Sequence, residues 1–254
     1  MIRRVDVLSV LISAVTMDRA LTEIERWIEH GERHYVCVTG VHGVMESQRD
    51  PELRRIHNAS GMTTPDGMPL VWAGRIAGAE IARVYGPDLM LELCRRAEMR
   101  GWSSYFYGGR PGIPDQLIAG LRQRFPQLGV VGSYSPPFRP ATVDEDERVV
   151  EAINSAAPDI VWVGLSTPKQ ERWMAGHVDR LTAPVLIGVG AAFDIHAGAL
   201  AQAPLWMQRS GLEWLYRLSR EPRRLWRRYL FNNPAFVYRI MRNPPKLAPA
   251  RTAP

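Results

Sequence analysis

The sequence predicts an α/β protein with a mainly parallel sheet and helices on both faces, followed by a basic helical C-terminal appendage. Three observations carry that reading. Strand-like and helix-like segments alternate through the first 205 residues, as βαβ units do. The segments Ile160-Val-Trp-Val-Gly164 and Val185-Leu-Ile-Gly-Val189 are continuous apolar runs, the pattern of strands buried on both faces. Positive charge is concentrated behind the alternating region. Between Arg209 and Lys246 ten basic residues meet only Glu213 and Glu221, a net +8, whereas the whole chain carries +6 and the remainder therefore −2.

The elements follow in order. Met1-Ile-Arg-Arg4 and the apolar residues after it imitate a short signal peptide, but Asp6 interrupts the segment and Thr16 caps a helix behind it. Residues 5–12 are therefore read as a strand and 16–30 as a helix. Further strands are expected at 35–39, 104–107, 130–133, 160–164 and 185–189, with helices at 43–58, 87–100, 112–124 and 145–156. Three regions result: an α/β body over 1–205, a basic amphipathic helical appendage over 206–243, and a Pro/Ala-rich tail over 244–254 expected to be disordered. In the appendage Pro222, Pro234 and Pro244-Pro245 punctuate short helices, since proline is tolerated at a helix start and not inside.

Composition removes several classes. With 46% hydrophobic and 23% charged residues in 254, the chain is neither disordered nor collagenous and can bury a large core. No apolar stretch approaches the roughly 20 residues that span a bilayer. Two cysteines, Cys37 and Cys94, cannot build a disulfide framework or a four-thiolate zinc site; they read as buried thiols in a reducing compartment, and the protein as cytoplasmic. The six histidines are dispersed, with no H-E-x-x-H, so no metal site is expected. The aromatic and basic appendage suits an anionic membrane surface as well as it suits packing on the core, with nucleic-acid binding third.

Parallel sheets place ligands at the carboxyl ends of their strands, so the residues after each strand are the candidates. Gly108-Gly-Arg-Pro-Gly112 follows one strand; its glycines either let backbone N–H groups approach a phosphate or serve a tight turn. Its spacing matches neither the dinucleotide fingerprint nor the P-loop, so neither NAD nor ATP is called for, and no cofactor is expected. Lys169 and Gln170 stand where substrate hydroxyls or phosphates could bind, Glu171 is placed to cap a helix, and Gly190-Ala-Ala-Phe-Asp194 ends in an acid. Thr39 ends the second strand and His42 follows it. Asp66 lies in the turn Pro65-Asp-Gly67, either a structural turn or a general base presented to a substrate hydroxyl.

Pro65-Asp-Gly-Met68, Arg83-Val-Tyr-Gly-Pro-Asp-Leu89, Tyr107-Gly-Gly-Arg-Pro-Gly112, Gly164-x-x-x-Pro-Lys-Gln-Glu171, Gly190-Ala-Ala-Phe-Asp194, Ala203-Pro-x-Trp-Met207 and Gly211-Leu-Glu-Trp-Leu-Tyr-Arg217, the last running on through Arg220-Glu-Pro-Arg-Arg-Leu225, occur in that order. Together they resemble the WecG/TagA/CpsF family of glycosyltransferases from about Val5 to Tyr229. The resemblance implies a Rossmann-like fold and an inverting, metal-independent transfer of a hexose or N-acetylhexosamine (N-acetylmannosamine or glucose, for example). The donor would be a UDP-sugar and the acceptor a polyprenyl-diphosphate-linked saccharide. The reaction would run at the inner face of the cell membrane during surface-polysaccharide synthesis, with homo-oligomerisation left open.

The resemblance makes Asp66 the base. It places Arg83 and Gln170 in the pocket and lends the arginines of the basic segment, here Arg217, Arg223, Arg224 and Arg227, to the leaving diphosphate; Thr39, His42, Gly108, Gly109 and Asp194 join as substrate-binding candidates from their places at the strand ends. One departure stands out: many members carry an asparagine after the second strand, where this chain has Gly40, with His42 the nearest polar residue. Two other readings compete, a basic nucleic-acid-binding protein and a dinucleotide-dependent enzyme. The first leaves the ordered motifs of the body idle, and the second lacks the glycine fingerprint and its ribose-binding acid.

Overall fold

The computed structural model describes residues 2–249. In chain order its elements are β1 (Arg4–Val7), β2 (Val10–Ser13), α1 (Met17–His30), β3 (His34–Thr39), α2 (Val41–Arg49), α3 (Pro51–Ala59), β4 (Met62–Pro65), α4 (Met68–Ile76), α5 (Gly86–Arg100), β5 (Ser103–Gly108) and α6 (Ile113–Arg124). They continue with β6 (Gly129–Tyr134), α7 (Val143–Ala156), β7 (Ile160–Gly164), α8 (Lys169–His177), β8 (Val185–Gly188), α9 (Ala192–His196), α10 (Leu205–Arg209), α11 (Glu213–Arg220), α12 (Pro222–Arg242) and β9 (Lys246–Leu247). The expected α/β class is what forms: a six-stranded sheet in the order β4-β3-β8-β7-β5-β6, flanked by helices, with the pairings of β3, β8, β7, β5 and β6 all parallel.

The chain divides into two compact units, one of Met1–Ala20, Val38–Tyr85 and Gln202–Pro254, the other of Leu21–Cys37 and Gly86–Ala201. The second holds most of the sheet. Trp162, Phe106 and Phe193 are fully buried there, and the rings of Phe106 and Phe193 meet edge to face at 6.0 Å.

The first unit departs most from expectation. The single strand expected over 5–12 is a hairpin, β1 with β2, pairing Arg4 with Ser13 and Val7 with Val10. Leu8 and Ser9 turn the corner with φ of 54° and 65°, the left-handed pair that a two-residue hairpin needs. No Asn-Gly announces the turn; Asp6 supports it by accepting the Ser9 N–H at 2.6 Å. The helix expected over 43–58 is two, because Asp50-Pro51 stops one and starts the next. The Asp50 carboxylate accepts the N–H groups of Glu52 and Leu53, and Pro51 sits at the first helical position. Strand β4, with one apolar side chain in four residues, carried no periodic signal.

The C-terminal segment also differs. Pro234 lies inside α12, which runs unbroken for 21 residues instead of as short helices. The hydrogen bond a proline forgoes there is the one to the carbonyl of Leu230, an exposed residue. Phe236 joins Val5, Val10, Ile12, Met45 and Leu70 in the apolar core of the unit. Lys246–Leu247 forms β9 against β1, so ordered chain continues past 244; residues 250–254 of the expected tail lie outside the described residues.

A buried histidine helps hold this unit. His57 is fully enclosed, and its Nδ1 lies 3.0 Å from the Leu53 carbonyl and 3.1 Å from Ser47 Oγ. A carbonyl can only accept, so Nδ1 carries the proton and Nε2 accepts the hydroxyl of Thr39 at 3.0 Å. Burial pushes the ring down from 6.5 to about 4. The unfolded chain therefore binds a proton that the folded one refuses between those values. Stability should be fully present above pH 6.5 and fall as the pH drops toward 4, by about 3 kcal/mol for this group. Denaturant midpoints at pH 7.5, 5.5 and 4.5 check this; a His57→Gln variant should lose much of the dependence, and an identical slope in that variant would refute the assignment.

Candidate active site

In the first unit the residue after β4 is Asp66, and its peptide is held at both ends. Its N–H donates to the Thr39 carbonyl at the end of β3 (3.0 Å), and its carbonyl accepts Nε of Arg83 (2.5 Å). Arg83 is brought there by backbone pairing: Ala82 N–H donates to the Val15 carbonyl and Val84 N–H to the Pro65 carbonyl, so this stretch runs beside the end of β4. The rest of the Arg83 guanidinium is also committed. It forms an ion pair with Glu213, reaches the Gln208 carbonyl at 3.5 Å, and lies over the Tyr85 ring at 4.1 Å from its centroid.

Glu213 begins α11, and the turn before that helix sets its place. Gly211 has φ +76°, and a Cβ there would stand 2.8 Å from Trp72 of α4, so only glycine fits. One turn further along α11, Arg217 is half-buried, and its Nε, itself buried, lacks a hydrogen-bond partner among the described residues. Burial opposes the charge of Arg217, yet Tyr229, Glu213, Tyr85 and Asp66 around it hold its proton affinity above the ordinary arginine value. Arg83 behaves alike: burial opposes its charge, and Asp66 and Glu213 outweigh burial. Tyr85 is pushed far up, by burial first and then by Glu213 and Asp66, and stays a neutral phenol. Two carboxylates and two guanidinium groups thus share one enclosed region of the unit.

The other candidates of this unit are placed differently. Thr39 is buried, with its hydroxyl directed at His57 and its carbonyl on Asp66, so it braces the aspartate. His42, on α2, has contacts with Asn232 of α12 at 3.5 Å and Glu46 at 3.8 Å. Arg223, Arg224 and Arg227 are exposed at the start of α12, Arg224 paired with Glu221 at 2.7 Å and Arg227 over the ring of Trp226. Of the four arginines expected together, Arg217 alone has its charge coupled to that of Asp66 among the described interactions.

In the second unit the glycines after β5 answer to backbone packing. A Cβ on Gly108 would lie 2.6 Å from the backbone of Gly164, and Gly109, at φ +74°, donates its N–H to the Gly164 carbonyl at 3.0 Å. Asp194 stands 3.6 Å from Arg110, a mostly exposed guanidinium. Gln170 is buried; its Nε2 donates to the Gly188 carbonyl at 3.3 Å, and its Oε1 has no partner among the described residues. Glu171, also buried, accepts the Thr167 hydroxyl at 2.8 Å. Among the described residues no three His, Cys, Asp or Glu side chains are grouped to hold a metal ion.

Sequence reasoning missed Glu213, Tyr85 and His57. The first two stood inside the quoted motifs Gly211–Arg217 and Arg83–Leu89, where an acid and a phenol flanked the residues that drew attention; His57 gave no signal at all.

A parallel sheet flanked by helices offers its strand ends as candidate sites, and just past β4 the Asp66 carboxylate acts on two guanidinium groups. The sequence pattern of the glycosyl transferase WecG/TagA/CpsF family matches residues 5–249. The chain belongs to that family and is a glycosyltransferase. It is similar to the N-acetylglucosaminyldiphosphoundecaprenol N-acetyl-beta-D-mannosaminyltransferase of Bacillus spizizenii, 28% identical over 199 residues, which cover 78% of this chain and 75% of the relative.

Gly40 borders the aspartate. A Cβ at position 40 would meet the Asp66 carboxylate at 4.0 Å, ordinary van der Waals contact, and the backbone there (φ −108°, ψ −170°) suits any residue. Gly40→Ala and Gly40→Asn should therefore fold with stability within about 0.5 kcal/mol of the parent while changing turnover through contact at Asp66. Thermal melts beside initial rates check this, and a large loss of stability would show that the position has no room.

Proposed function

We propose that this enzyme transfers a hexose or N-acetylhexosamine from a UDP-sugar to a polyprenyl-diphosphate-linked saccharide, with inversion and without a metal ion. The observation that carries the reading is Asp66, held by its own peptide among Arg83, Glu213 and Arg217. Family membership and the substrate in the relative's name support the class of acceptor. In the reaction the acceptor hydroxyl attacks the anomeric carbon from the face opposite the leaving group. Asp66 takes its proton, the bond from that carbon to the β-phosphate oxygen breaks, and UDP departs with the electron pair.

General-base help of this kind contributes roughly 10²–10⁴-fold. The charge of the departing diphosphate needs cations, and guanidinium forks match phosphate oxygens bidentately. Arg217 and the exposed Arg223, Arg224 and Arg227 are assigned to it. In the second unit the turn from Gly108 to Gly112, Gln170 and Asp194 are assigned to substrate binding, Gln170 through its unpartnered Oε1.

The test is a screen of UDP-sugars against a lipid-diphosphate-linked acceptor, reading UDP release. Asp66→Asn should keep the fold and lose roughly 10²-fold or more of kcat, and EDTA should leave the parent rate largely intact. A variant with near-parental turnover removes Asp66 as base, and loss in EDTA restored by Mg²⁺ or Mn²⁺ removes the metal-free mechanism.

The second part of the proposal is peripheral binding at the inner face of the membrane. No helix among the described residues is long and apolar enough to cross a bilayer. Helix α12 buries Leu225, Asn232 and Phe236 on one face and exposes Trp226, Leu230, Val237 and Met241 on another, next to Arg223 and Arg227. Each basic residue near anionic lipid contributes about 1 kcal/mol. Reversing Arg223 and Arg224 to Glu should weaken sedimentation with anionic vesicles, as added salt should for the parent. Binding to oligonucleotides with a steep salt dependence, and none to vesicles, would favour nucleic acid instead.

A further inference from the structure

We propose that Glu213 is a positioning residue for the transfer: it pins the Arg83 guanidinium beside Asp66 and offsets the charge of the two arginines, so that Asp66 remains a competent base. The inference rests on the reading of Asp66 given above and extends it to a residue of the C-terminal segment.

Every side of the Arg83 guanidinium is spoken for: Nε on the Asp66 carbonyl, Nη1 toward the Gln208 carbonyl, Nη2 on Glu213, and its face on Tyr85. Glu213 is the charged partner in that set, and the pair is well enclosed, each side chain 16% exposed. Were its charge removed, Arg83 would still have the carboxylate of Asp66 within electrostatic reach. A guanidinium moving onto a carboxylate favours the ionised form and weakens it as a base. Asp66 and Glu213 both act on Arg83, Tyr85 and Arg217, and Tyr229 acts on Arg217. Tyr85 is neutral, so removing Glu213 takes one negative charge from beside the two guanidinium groups.

The segment from Gln208 to Arg217 thereby does more than cover the unit. Gly211 seats α11 on Trp72, and this fixes Glu213, which in turn fixes Arg83. A chain that is folded elsewhere but displaced in α11 would carry Asp66 with its proton affinity lowered.

Two measurements on the full-length protein test this. The first needs no substrate: ¹³C NMR titration of the Asp66 carboxyl, identified by its absence in Asp66→Asn, in the parent and in Glu213→Gln. Glu213→Gln should titrate about half a unit to one unit lower, and Glu213→Asp, with the charge kept on a shorter arm, should stay nearer the parent. An unmoved Asp66 titration in Glu213→Gln overturns the proposal. Should Glu213→Gln fail to fold, Glu213→Asp and a Gly211→Ala variant, which displaces α11, carry the same comparison.

The second measurement is the pH dependence of kcat/KM with the UDP-sugar and lipid acceptor. The acid limb should move to lower pH in Glu213→Gln with kcat reduced about tenfold or more, and adding Arg83→Gln to that variant should cost less than it does in the parent. An additive double variant, or a loss of rate with the acid limb in place, means that Glu213 is only structural. The outcomes separate from those for the function itself: a parent that releases no UDP counts against the proposed reaction, while the Asp66 titration still decides the role of Glu213.

Discussion

Two guanidinium groups are enclosed in the first unit, and keeping them charged there governs much of what surrounds them. Taking an ion out of water costs several kcal/mol even after the protein relaxes. Asp66 and Glu213 act on Arg83, and Tyr229, Glu213 and Asp66 on Arg217, and the proton affinities of both arginines stay above the ordinary value despite burial. Removing one partner of such a pair typically costs about 3–5 kcal/mol, since a charge is left with no counterion. The four residues come from three separate stretches of sequence, and none of their positions is independent of the others.

Backbone contacts, and only a few of them, hold those stretches in register. The Asp66 N–H on Thr39 binds the turn after β4 to β3, while the Val84 N–H on Pro65 and the Ala82 N–H on Val15 bind residues 82–84 to the end of β4 and to the segment after β2. His57 braces the same place from below by accepting the Thr39 hydroxyl. The ring can do so only while neutral. An acid-sensitive support therefore sits one residue contact away from the aspartate. The glycines work by exclusion: Gly211 admits Trp72, and Gly43 leaves room for Thr39 and His57, since a Cβ there would lie 2.8 Å from the threonine methyl.

Much of the fold was legible because burial dictates pattern. β7 and β8 are buried over nearly their whole length and read as unbroken apolar runs, and α1, α5, α6 and α7 begin and end within two residues of their expected bounds. What escaped was specified by single backbone or capping events. The β1–β2 turn uses two left-handed non-glycine residues, which no composition rule flags. The α2–α3 break rests on one aspartate cap before a proline. Of the site, Asp66, Arg83 and Arg217 were legible through motif order, because each stands in a segment with unusual turn chemistry. Glu213 was counted only as an opposing charge in a basic stretch. Its place beside Arg83 comes from a contact across 130 positions of sequence, which no local pattern encodes.

The C-terminal segment shows why charge and periodicity alone left packing and surface binding level. An amphipathic helix is usually read as having one apolar stripe, and the question is then what that stripe meets. Helix α12 has two. Leu225, Asn232 and Phe236 recur at i, i+7 and i+11 and are buried, with Phe236 part of the core; Trp226, Leu230, Val237 and Met241 recur at i, i+4, i+11 and i+15 and remain exposed. Packing accounts for the first stripe completely and leaves the second unexplained. Scattered exposed apolar residues need no special cause, but four aligned ones beside arginines on a single helix do. The core demand and the surface demand are therefore met by different faces of the same helix. Because α11 and α12 meet at Glu221-Pro222, the segment that would touch lipid is continuous in sequence with the one that seats Glu213 on Arg83.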